Sequence, residues 1–424
     1  MGSVLAAATI YPSRMEGVVD APPSKSYTHR AIAVALLARG VSRIINPLYS
    51  DDTRATITAA RLLGARIEES PGMLEVYSAG EPGWTPAIDC RESGTTLRVF
   101  YAIAGLQDKP ILLHGRGRLH ERPLAPLARS MEALGAKTLL HRGCCPPAAV
   151  MGPMEGGYTE LDATESSQYL TALLIALSRR PPSTIRVLGL SSRGYVEVTI
   201  RVLEAFSVDT WVKGDIYGVE GPPKPSTYRV PGDWSSAAPL LAIGAVAGRV
   251  AVRGLDPDDP QPDRAVIDYL RSMGALVEVR GRLVESSKPP EPLRPLRACI
   301  DPHPDLAPVL AALAATACGE SRICCISRLR LKESDRVDAI IRLLAEAGVE
   351  AGVDGDCIVI EGVCGSLNPP GDLHPVPDHR IVMAAAVLAA ASSHPVRIHS
   401  ASAVAKSYPG FWDALSRIGR VRFE

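Results

Sequence analysis

Apolar residues divide the helical segments of this chain into two kinds. Segments of the first kind are rich in Ala and Leu on every face, and a helix that is apolar all round is a buried helix. Each is followed by a short run rich in β-branched residues, which predicts a strand. The buried helices are predicted to begin near Arg30, Thr96, Tyr169, Ala237, Leu306 and Arg380. The strands that follow them are predicted at 42–45, 110–113, 184–187, 249–252, 321–324 and 396–399.

Segments of the second kind end in a glycine turn that leads into a strand, the pattern of a helix C-cap. The turn glycines are Gly64, Gly135, Gly274, Gly348 and Gly419, at intervals of 71, 139, 74 and 71 residues. The double interval predicts a further member near residue 205, where Ser207 takes the glycine position. The chain is therefore predicted to contain six copies of an α/β unit of roughly 70 residues. Three copies would form each of two similar domains, with the midpoint near 229–233.

Length and composition agree with two ordinary globular domains. A chain of 424 residues exceeds the size at which a single core stops growing. The 46 Lys and Arg residues balance 46 Asp and Glu residues, which argues against a basic surface for nucleic acid. No run of about 18 apolar residues is present, and the N-terminus lacks the features of a signal peptide. We therefore expect a cytoplasmic protein that binds neither nucleic acid nor membrane.

Nine cysteines are present, and no two of them form a Cys-x-x-Cys motif. They are Cys90, Cys144, Cys145, Cys299, Cys318, Cys324, Cys325, Cys357 and Cys364. Their number is odd, and no His lies at zinc-ligand spacing from them. The sequence therefore predicts buried free thiols in a reducing compartment, with a stabilising disulfide possible in a hyperthermophile.

Polar residues gather in the loops just before the six buried helices. These loops are 22–30, 91–98, 164–169, 232–236, 303–305 and 377–380. Helix N-termini favour anions, because their N–H groups are unpaired and the dipole is positive there. Ser, Thr, Asp and Gly at such places could also be ordinary N-caps. Cations in the same loops, namely Lys25, Arg30, Arg98 and Arg380, oppose the helix dipole, and a bound anion would resolve this conflict.

More bases follow the strands of repeats two, five and six, at Arg118, Arg122, the segment 328–336 and Lys406. Equivalent loops of repeated units point to the same side of a domain, so we expect one shared anion cleft between the two halves. Asp305 and Glu333 lie among these bases and suit proton transfer. A purely structural ion-pair network is the alternative. The nucleotide motifs Gly-x-x-x-x-Gly-Lys-Ser/Thr and Gly-x-Gly-x-x-Gly and the zinc motif His-Glu-x-x-His do not occur.

Short motifs along the whole chain are jointly specific. They are Ser24-Lys25-Ser26 with Arg30, Ser93-Gly94-Thr95 with Arg98, Glu121-Arg122-Pro123, Ser166-Ser167-Gln168, Ser192 with Tyr195, Asp305, Lys332-Glu333-Ser334-Asp335-Arg336, Asp378-His379-Arg380 and Lys406. In these motifs the chain closely resembles the 5-enolpyruvylshikimate-3-phosphate synthase family.

This resemblance implies an α/β fold of the inside-out barrel type, with two similar domains of three repeated units joined by a two-strand hinge. Residues 1–22 and 232–424 would form the C-terminal-type domain, which carries the catalytic carboxylates on the phosphoenolpyruvate side. Residues 23–231 would form the N-terminal-type domain on the shikimate 3-phosphate side. The implied reaction transfers the carboxyvinyl group of phosphoenolpyruvate to the 5-hydroxyl of shikimate 3-phosphate and releases phosphate, in the shikimate pathway of aromatic amino-acid biosynthesis. The resemblance implies no metal or organic cofactor, and we expect a monomer.

The resemblance also assigns residues. Phosphoenolpyruvate would be held by Lys25, Gly94, Arg122, Gln168, Arg336, Arg380 and Lys406. Shikimate 3-phosphate would be held by Lys25, Ser26, Arg30, Ser166, Ser167, Gln168, Ser192, Tyr195, Asp305 and Lys332. Asp305 would be the base at the 5-hydroxyl and Glu333 the acid at the methylene, with Lys25 as a competing proton carrier.

Three residues depart from the usual family pattern. Glu92 and Arg328 replace frequent Asn residues, and Val99 follows Arg98 where Pro is common. A related transferase acts on UDP-N-acetylglucosamine, but it uses a cysteine in the loop that corresponds to 116–121, and this loop has none. A non-catalytic phosphate-ligand protein is a further alternative, although binding alone does not need Asp305 and Glu333 beside the cations. A repeat protein for partner recognition would need an exposed apolar face, and aromatic residues make up only 5% of the chain.

Overall fold

The computed structural model describes residues 7–423, which form two compact units. The terminal unit comprises the chain up to Pro22 and from Gly232 onward, and the central unit comprises Pro23–Pro231. Residues 1–6, which the sequence interpretation assigned to the terminal domain, lie outside the described residues, as does residue 424. The assignment of a different substrate to each unit stays a prediction.

Twenty-four strands occur within residues 7–423. They are β1 (Ala7–Ile10), β2 (Met15–Asp20), β3 (Gly40–Ile45), β4 (Arg66–Ser70), β5 (Met73–Ser78), β6 (Ala87–Asp89), β7 (Ile111–His114), β8 (Lys137–His141), β9 (Cys145–Met151), β10 (Tyr158–Ala163), β11 (Ser183–Leu190), β12 (Asp209–Lys213), β13 (Ile216–Glu220), β14 (Thr227–Arg229), β15 (Gly248–Arg253), β16 (Leu276–Arg280), β17 (Leu283–Ser287), β18 (Arg297–Cys299), β19 (Cys318–Cys324), β20 (Ala351–Asp354), β21 (Cys357–Val363), β22 (Asp372–Leu373), β23 (Val396–His399) and β24 (Val421–Phe423).

The same residues form twelve α-helices and five 3₁₀ segments. The helices are α1 (Lys25–Leu37), α2 (Asp51–Leu62), α3 (Gly94–Ala104), α4 (Ala125–Ala133), α5 (Gln168–Leu177), α6 (Gly194–Ala205), α7 (Trp234–Ala247), α8 (Val266–Ser272), α9 (Ala307–Thr316), α10 (Arg336–Glu346), α11 (His379–Ala390) and α12 (Phe411–Ser416). The 3₁₀ segments are Gly117–Glu121, Pro262–Ala265, Pro304–Leu306, Ser327–Leu331 and Ala401–Lys406.

The strands form six four-stranded sheets with one common plan. In each sheet one parallel pair is extended by two antiparallel strands. The central sheets have the orders β14-β3-β5-β4, β6-β7-β9-β8 and β10-β11-β13-β12. The terminal sheets have the orders β2-β15-β17-β16, β18-β19-β21-β20 and β22-β23-β1-β24. The predicted sixfold repeat is confirmed, and the N-terminal strands β1 and β2 each complete a sheet of the terminal unit.

Each unit has its own core, built around three buried helices. In the central unit α1, α3 and α5 contact one another, and in the terminal unit α7, α9 and α11 do so. Every residue of α9 is buried, as expected for a segment that is apolar on all faces. Within the described residues, no helix has the length and apolar character that a bilayer span requires.

The turns predicted after the helical segments of the second kind are present. The residue at the turn position is required there for one of two reasons. Gly64 has a φ of 94°, and Ser207, the predicted substitute for glycine, has a φ of 60° in the same left-handed region. Gly419 is needed for a different reason, because a Cβ atom there would overlap the Met15 side chain. The recurrent glycine therefore marks a C-cap in one repeat and a close approach in another.

The prediction of free cysteines is wrong for eight of the nine. Within residues 7–423 the cysteines form the disulfides Cys144–Cys145, Cys299–Cys325, Cys318–Cys364 and Cys324–Cys357, and only Cys90 is a buried free thiol. Three of these disulfides cross-link the sheet of β18, β19 and β21. Strand pairing explains the difference, because it places residues such as Cys324 and Cys357 directly opposite each other across an antiparallel ladder.

Candidate active site

The predicted anion loops of the central unit end at the first turns of its helices. Lys25 and Ser26 open α1, Gly94 opens α3 and Gln168 opens α5. Ser93 is an ordinary N-cap, since its hydroxyl accepts a hydrogen bond from the Thr96 N–H at 3.2 Å. The cations in these loops need a different explanation.

Arg30 is one such cation, and it is buried without a counter-charge. Its guanidinium donates to the Thr199 hydroxyl at 2.8 Å, to the Thr171 hydroxyl at 3.2 Å and to the backbone carbonyls of Ser26 and Tyr195. Burial lowers its pKa to about 10, so it remains charged at neutral pH. Within residues 7–423 it forms no ion pair with a carboxylate, and a buried unpaired charge favours the arrival of an anion.

Arg98 is a second buried guanidinium that forms no ion pair within the described part of the chain. It donates to the Gln168 side-chain oxygen at 2.7 Å, and its guanidinium carbon lies 5.2 Å from the centroid of the Tyr169 ring. Arg122 also lies close by, against the first residue of α3, where a Cβ on Gly94 would overlap its guanidinium. Two guanidinium groups and a helix N-terminus therefore meet at one place, which is a strongly anion-attracting arrangement.

Lys25 differs from these arginines because it has a carboxylate neighbour. Its ammonium contacts the Asp52 carboxylate at 2.8 Å, and both side chains are largely buried. Asp52 lies in the first turn of α2. The pairing holds the Lys25 side chain in a defined position.

The remaining predicted residues of the central unit also lie at helix starts. Ser167 is the N-cap residue of α5, and the Ser166 hydroxyl accepts from the Gln168 N–H at 3.3 Å. Ser192 is buried with a φ of 47°, two residues before α6, and Tyr195 lies in the first turn of that helix.

The terminal unit arranges its charges around Arg336. Each nitrogen of this fully buried guanidinium donates to a carboxylate at 2.9 Å, with Nη1 to Asp305, Nη2 to Glu333 and Nε to Asp378. We call Asp305, Glu333 and Asp378 the carboxylate cluster. One planar cation thus fixes three acids in a common geometry.

The members of the carboxylate cluster differ in their access to solvent. The side chains of Asp305 and Glu333 are 23% and 15% exposed, whereas that of Asp378 is 1% exposed. Asp378 also accepts from the Ser334 hydroxyl and caps α11 through the Arg380 N–H, both at 2.9 Å. Asp378 is therefore a structural anchor, while the other two acids can reach a ligand.

Further cations surround Asp305. Lys332 and Arg380 each approach its carboxylate to 3.6 Å, and Arg380 also donates to the Ser235 carbonyl at 2.8 Å. Burial raises the pKa of Asp305, but Lys332, Arg336 and Arg380 together hold it well below its usual range. Burial lowers the pKa of Lys332 to about 8, against the opposing effect of Asp305. Lys406 is buried at the end of the 3₁₀ segment Ala401–Lys406.

Comparison with known proteins identifies this arrangement. Residues 10–415 match the family model described as EPSP synthase (3-phosphoshikimate 1-carboxyvinyltransferase). The chain belongs to the EPSP synthase family. It is 44% identical to the 3-phosphoshikimate 1-carboxyvinyltransferase of Aeropyrum pernix over 97% of this chain and 95% of the relative, and 39% identical to that of Pyrococcus abyssi over 95% of each.

Solved structures agree with this family assignment. EPSP synthase from Acinetobacter baumannii has a TM-score of 0.81 at 25% identity, covering 98% of this chain and 99% of the other. The enolpyruvyl transferase NikO from Streptomyces tendae has a TM-score of 0.80 at 19% identity, covering 98% of each chain, and shows the likeness of fold. The family and the fold class predicted from the sequence are therefore confirmed.

The residues that depart from the usual EPSP synthase pattern are distributed over both units. Arg328 donates to the Asp301 carboxylate at 2.8 Å, in the segment that precedes Asp305. Val99 is buried in α3, and Glu92 is exposed before it. Arg328 therefore adds an ion pair with Asp301, four residues before Asp305 of the carboxylate cluster.

Sequence reasoning assigned no role to several residues that position the predicted site residues of the two units. Asp52 resembled an ordinary residue in a helix N-terminal turn, and Asp378 was noted only as part of a motif. Thr171 and Thr199 are buried hydroxyl groups within helices, and no local feature of the sequence marks them. Arg98 was recognised as an anion-loop cation but was not assigned to a substrate.

Proposed function

We propose that this chain transfers the 1-carboxyvinyl group of phosphoenolpyruvate to the 5-hydroxyl of shikimate 3-phosphate and releases phosphate. The observation that carries the proposal is the attachment of Asp305 and Glu333 to the two Nη atoms of Arg336, both with exposed edges. A protein that only binds phosphorylated anions would gain nothing from two carboxylates beside its cations. Proton transfer needs them.

The reaction proceeds by addition and then elimination. The 5-hydroxyl loses its proton to a base while its oxygen bonds to C2 of phosphoenolpyruvate, and an acid protonates C3, which becomes a methyl group. In the second stage C3 loses a proton and the C2–O bond to phosphate breaks. The products are the enol ether and phosphate, and no electron enters or leaves the system.

We assign the base to Asp305 and the acid to Glu333. Asp305 is ionised in the free protein, because the surrounding cations keep its pKa low. A base works best with a pKa near the working pH. Anionic substrates would partly neutralise Lys332, Arg336 and Arg380, and this would raise the pKa of Asp305 toward a useful range. Lys25 remains the competing proton carrier.

The proposal also assigns residues to the binding of each substrate. The proposal gives phosphoenolpyruvate to Lys25, Gly94, Arg122, Gln168, Arg336, Arg380 and Lys406. It gives shikimate 3-phosphate to Lys25, Ser26, Arg30, Ser166, Ser167, Gln168, Ser192, Tyr195, Asp305 and Lys332. The unpaired guanidinium of Arg30 and the accumulation of cations at the first turn of α3 support these assignments. A monomeric state and a cytoplasmic location stay predictions.

The direct experiment is phosphate release from phosphoenolpyruvate. Release that requires shikimate 3-phosphate, together with formation of the enol ether detected by mass spectrometry, is the expected result. UDP-N-acetylglucosamine serves as the control acceptor. Release with the nucleotide sugar and none with shikimate 3-phosphate would refute the proposal.

A further inference from the structure

Two consecutive residues of α1, His29 and Arg30, connect this helix to different neighbours. His29 is hydrogen-bonded to Thr56 of α2, which is in turn hydrogen-bonded to Thr96 of α3, whereas Arg30 is hydrogen-bonded to α5 and α6. Both are 2% exposed, and both lie within two turns of the helix start. Gly94, which the proposed function gives to phosphoenolpyruvate alone, lies on the His29 side, and Ser26 and Tyr195, which it gives to shikimate 3-phosphate alone, lie on the Arg30 side.

The first network is a chain of hydrogen bonds that we call the hydroxyl chain, formed by His29, Thr56, Thr96 and Ser93. His29 Nδ1 lies 2.6 Å from Thr56 Oγ1, which lies 2.7 Å from Thr96 Oγ1, and this hydroxyl donates to Ser93 Oγ at 2.8 Å. No member is more than 2% exposed, and burial lowers the pKa of His29 to about 3, so the ring is neutral. The chain joins the starts of α1, α2 and α3, which carry Lys25, Asp52 and Gly94.

The second network is the guanidinium–hydroxyl cluster, formed by Arg30, Thr171 and Thr199. Its two hydroxyls lie 2.8 Å apart, and both accept from the guanidinium. Thr199 in turn donates to the Tyr195 carbonyl at 3.0 Å, and Arg30 donates to the Ser26 carbonyl at 2.9 Å. The cluster therefore fixes the backbone beside Ser26 and Tyr195.

We propose that these two networks position the two substrates independently. The hydroxyl chain positions Gly94 through the neighbouring Ser93, and the proposed function gives Gly94 to phosphoenolpyruvate alone. The guanidinium–hydroxyl cluster positions Ser26 and Tyr195, which it gives to shikimate 3-phosphate. The inference rests on the proposed function. His29, Thr56, Thr96, Thr171 and Thr199 are positioning residues, because they act through other side chains and through the backbone.

The experiment compares Thr56→Val with Thr171→Val, two changes that remove one buried hydroxyl at nearly constant volume. One lost buried hydrogen bond corresponds to about a 5- to 10-fold change in an equilibrium constant. Thr56→Val should raise the KM for phosphoenolpyruvate by about 5- to 10-fold and leave the KM for shikimate 3-phosphate within about twofold. Thr171→Val should have the opposite pattern. A merely structural role would move both KM values together.

The controls use the same positions and the same helix. Thr56→Ser and Thr171→Ser keep the hydroxyl and should restore both KM values, while Thr58→Val changes an exposed threonine of α2 and should have no effect. Equal changes in the two KM values, or no change in either, would overturn the inference while the wild-type enzyme remains active. A wild-type protein without turnover would overturn the proposed function, and the inference with it.

Discussion

Arg30 and Arg98 in the central unit and Arg336 in the terminal unit are all buried guanidinium groups, but their neighbours differ. The two central arginines donate to hydroxyl, amide and carbonyl oxygens and form no ion pair within residues 7–423. Arg336 donates to three carboxylates, each at 2.9 Å. The guanidinium groups of the central unit therefore carry a positive charge with no carboxylate partner. In the terminal unit three carboxylates surround a single guanidinium group.

This difference suits the two kinds of guanidinium group to different tasks, the binding of anions and the orientation of acids for proton transfer. A cation fixed by neutral oxygens keeps its charge available for an anionic ligand, and the fixed dipoles do not have to reorganise when the ligand arrives. A cation that holds three acids also orients them and controls their protonation. The comparison predicts that the central unit contributes mainly affinity, while the partly exposed acids Asp305 and Glu333 of the terminal unit contribute mainly to the rate.

Asp305→Asn tests the second half of this comparison and should have the largest effect. Loss of the base should reduce kcat by about 10³-fold. The KM for shikimate 3-phosphate should stay constant or fall, because one negative charge has been removed from an anion site. Steady-state phosphate release measures both. Asp338→Asn, at an exposed position of α10, is the matched control. An unchanged kcat for Asp305→Asn would remove this residue from the mechanism.

Arginine substitutions in the ligand-free protein separate the two environments by stability. Arg336→Met would leave three carboxylates without their cation and should lower the free energy of unfolding by about 3–5 kcal/mol. Arg30→Met should lower it by less than about 1 kcal/mol, because removal of an unpaired buried charge offsets the lost hydrogen bonds. Urea unfolding measures the difference. Arg342→Met, exposed on α10, is the control, and equal losses for Arg30→Met and Arg336→Met would contradict the comparison.

The repetitive part of this fold could be predicted from the sequence because it depends on local patterns. Segments that are apolar on all faces had to be buried, and the glycine interval was regular enough to locate Ser207 at a left-handed turn. The loops before the buried helices were also found, since a cation at a helix N-terminus is unusual.

The partners of those cations could not be predicted, because the fold brings them from distant positions. Arg336 binds acids at positions 305, 333 and 378, and Arg30 binds hydroxyls at 171 and 199. A threonine in a helix has no local feature that distinguishes a buried hydrogen-bond acceptor from an exposed residue. Cysteine pairing failed for the same reason, since it follows the strand register rather than the spacing along the chain.

The two units also differ in the length of the loops that their disulfides close, and this difference should affect the free energy of unfolding. In the terminal unit Cys318–Cys364 closes a loop over a sequence separation of 46, whereas Cys144–Cys145 in the central unit joins adjacent residues. Replacement of both cysteines of the first pair by Ala should lower the free energy of unfolding by about 2–4 kcal/mol. The same replacement of the second pair should change it by less than about 0.5 kcal/mol, because the pair closes no loop. Urea unfolding of the two double variants, compared with the wild type, tests this, and equal changes would refute it.

The smallest effect on activity is predicted for Lys332. Its ammonium group lies 3.6 Å from the Asp305 carboxylate, and the proposed function gives it to shikimate 3-phosphate. Its pKa of about 8 reflects burial, which the neighbouring Asp305 only partly offsets. As the pH rises through this value the ammonium group loses its proton, so kcat/KM for shikimate 3-phosphate should fall by about tenfold per pH unit above it. Lys332→Arg keeps the positive charge and should abolish this decline, while Lys288→Arg at an exposed position should leave it unchanged. A decline that persists in Lys332→Arg would assign the titration to another group, and the affinity of the terminal unit would then not depend on the charge of Lys332.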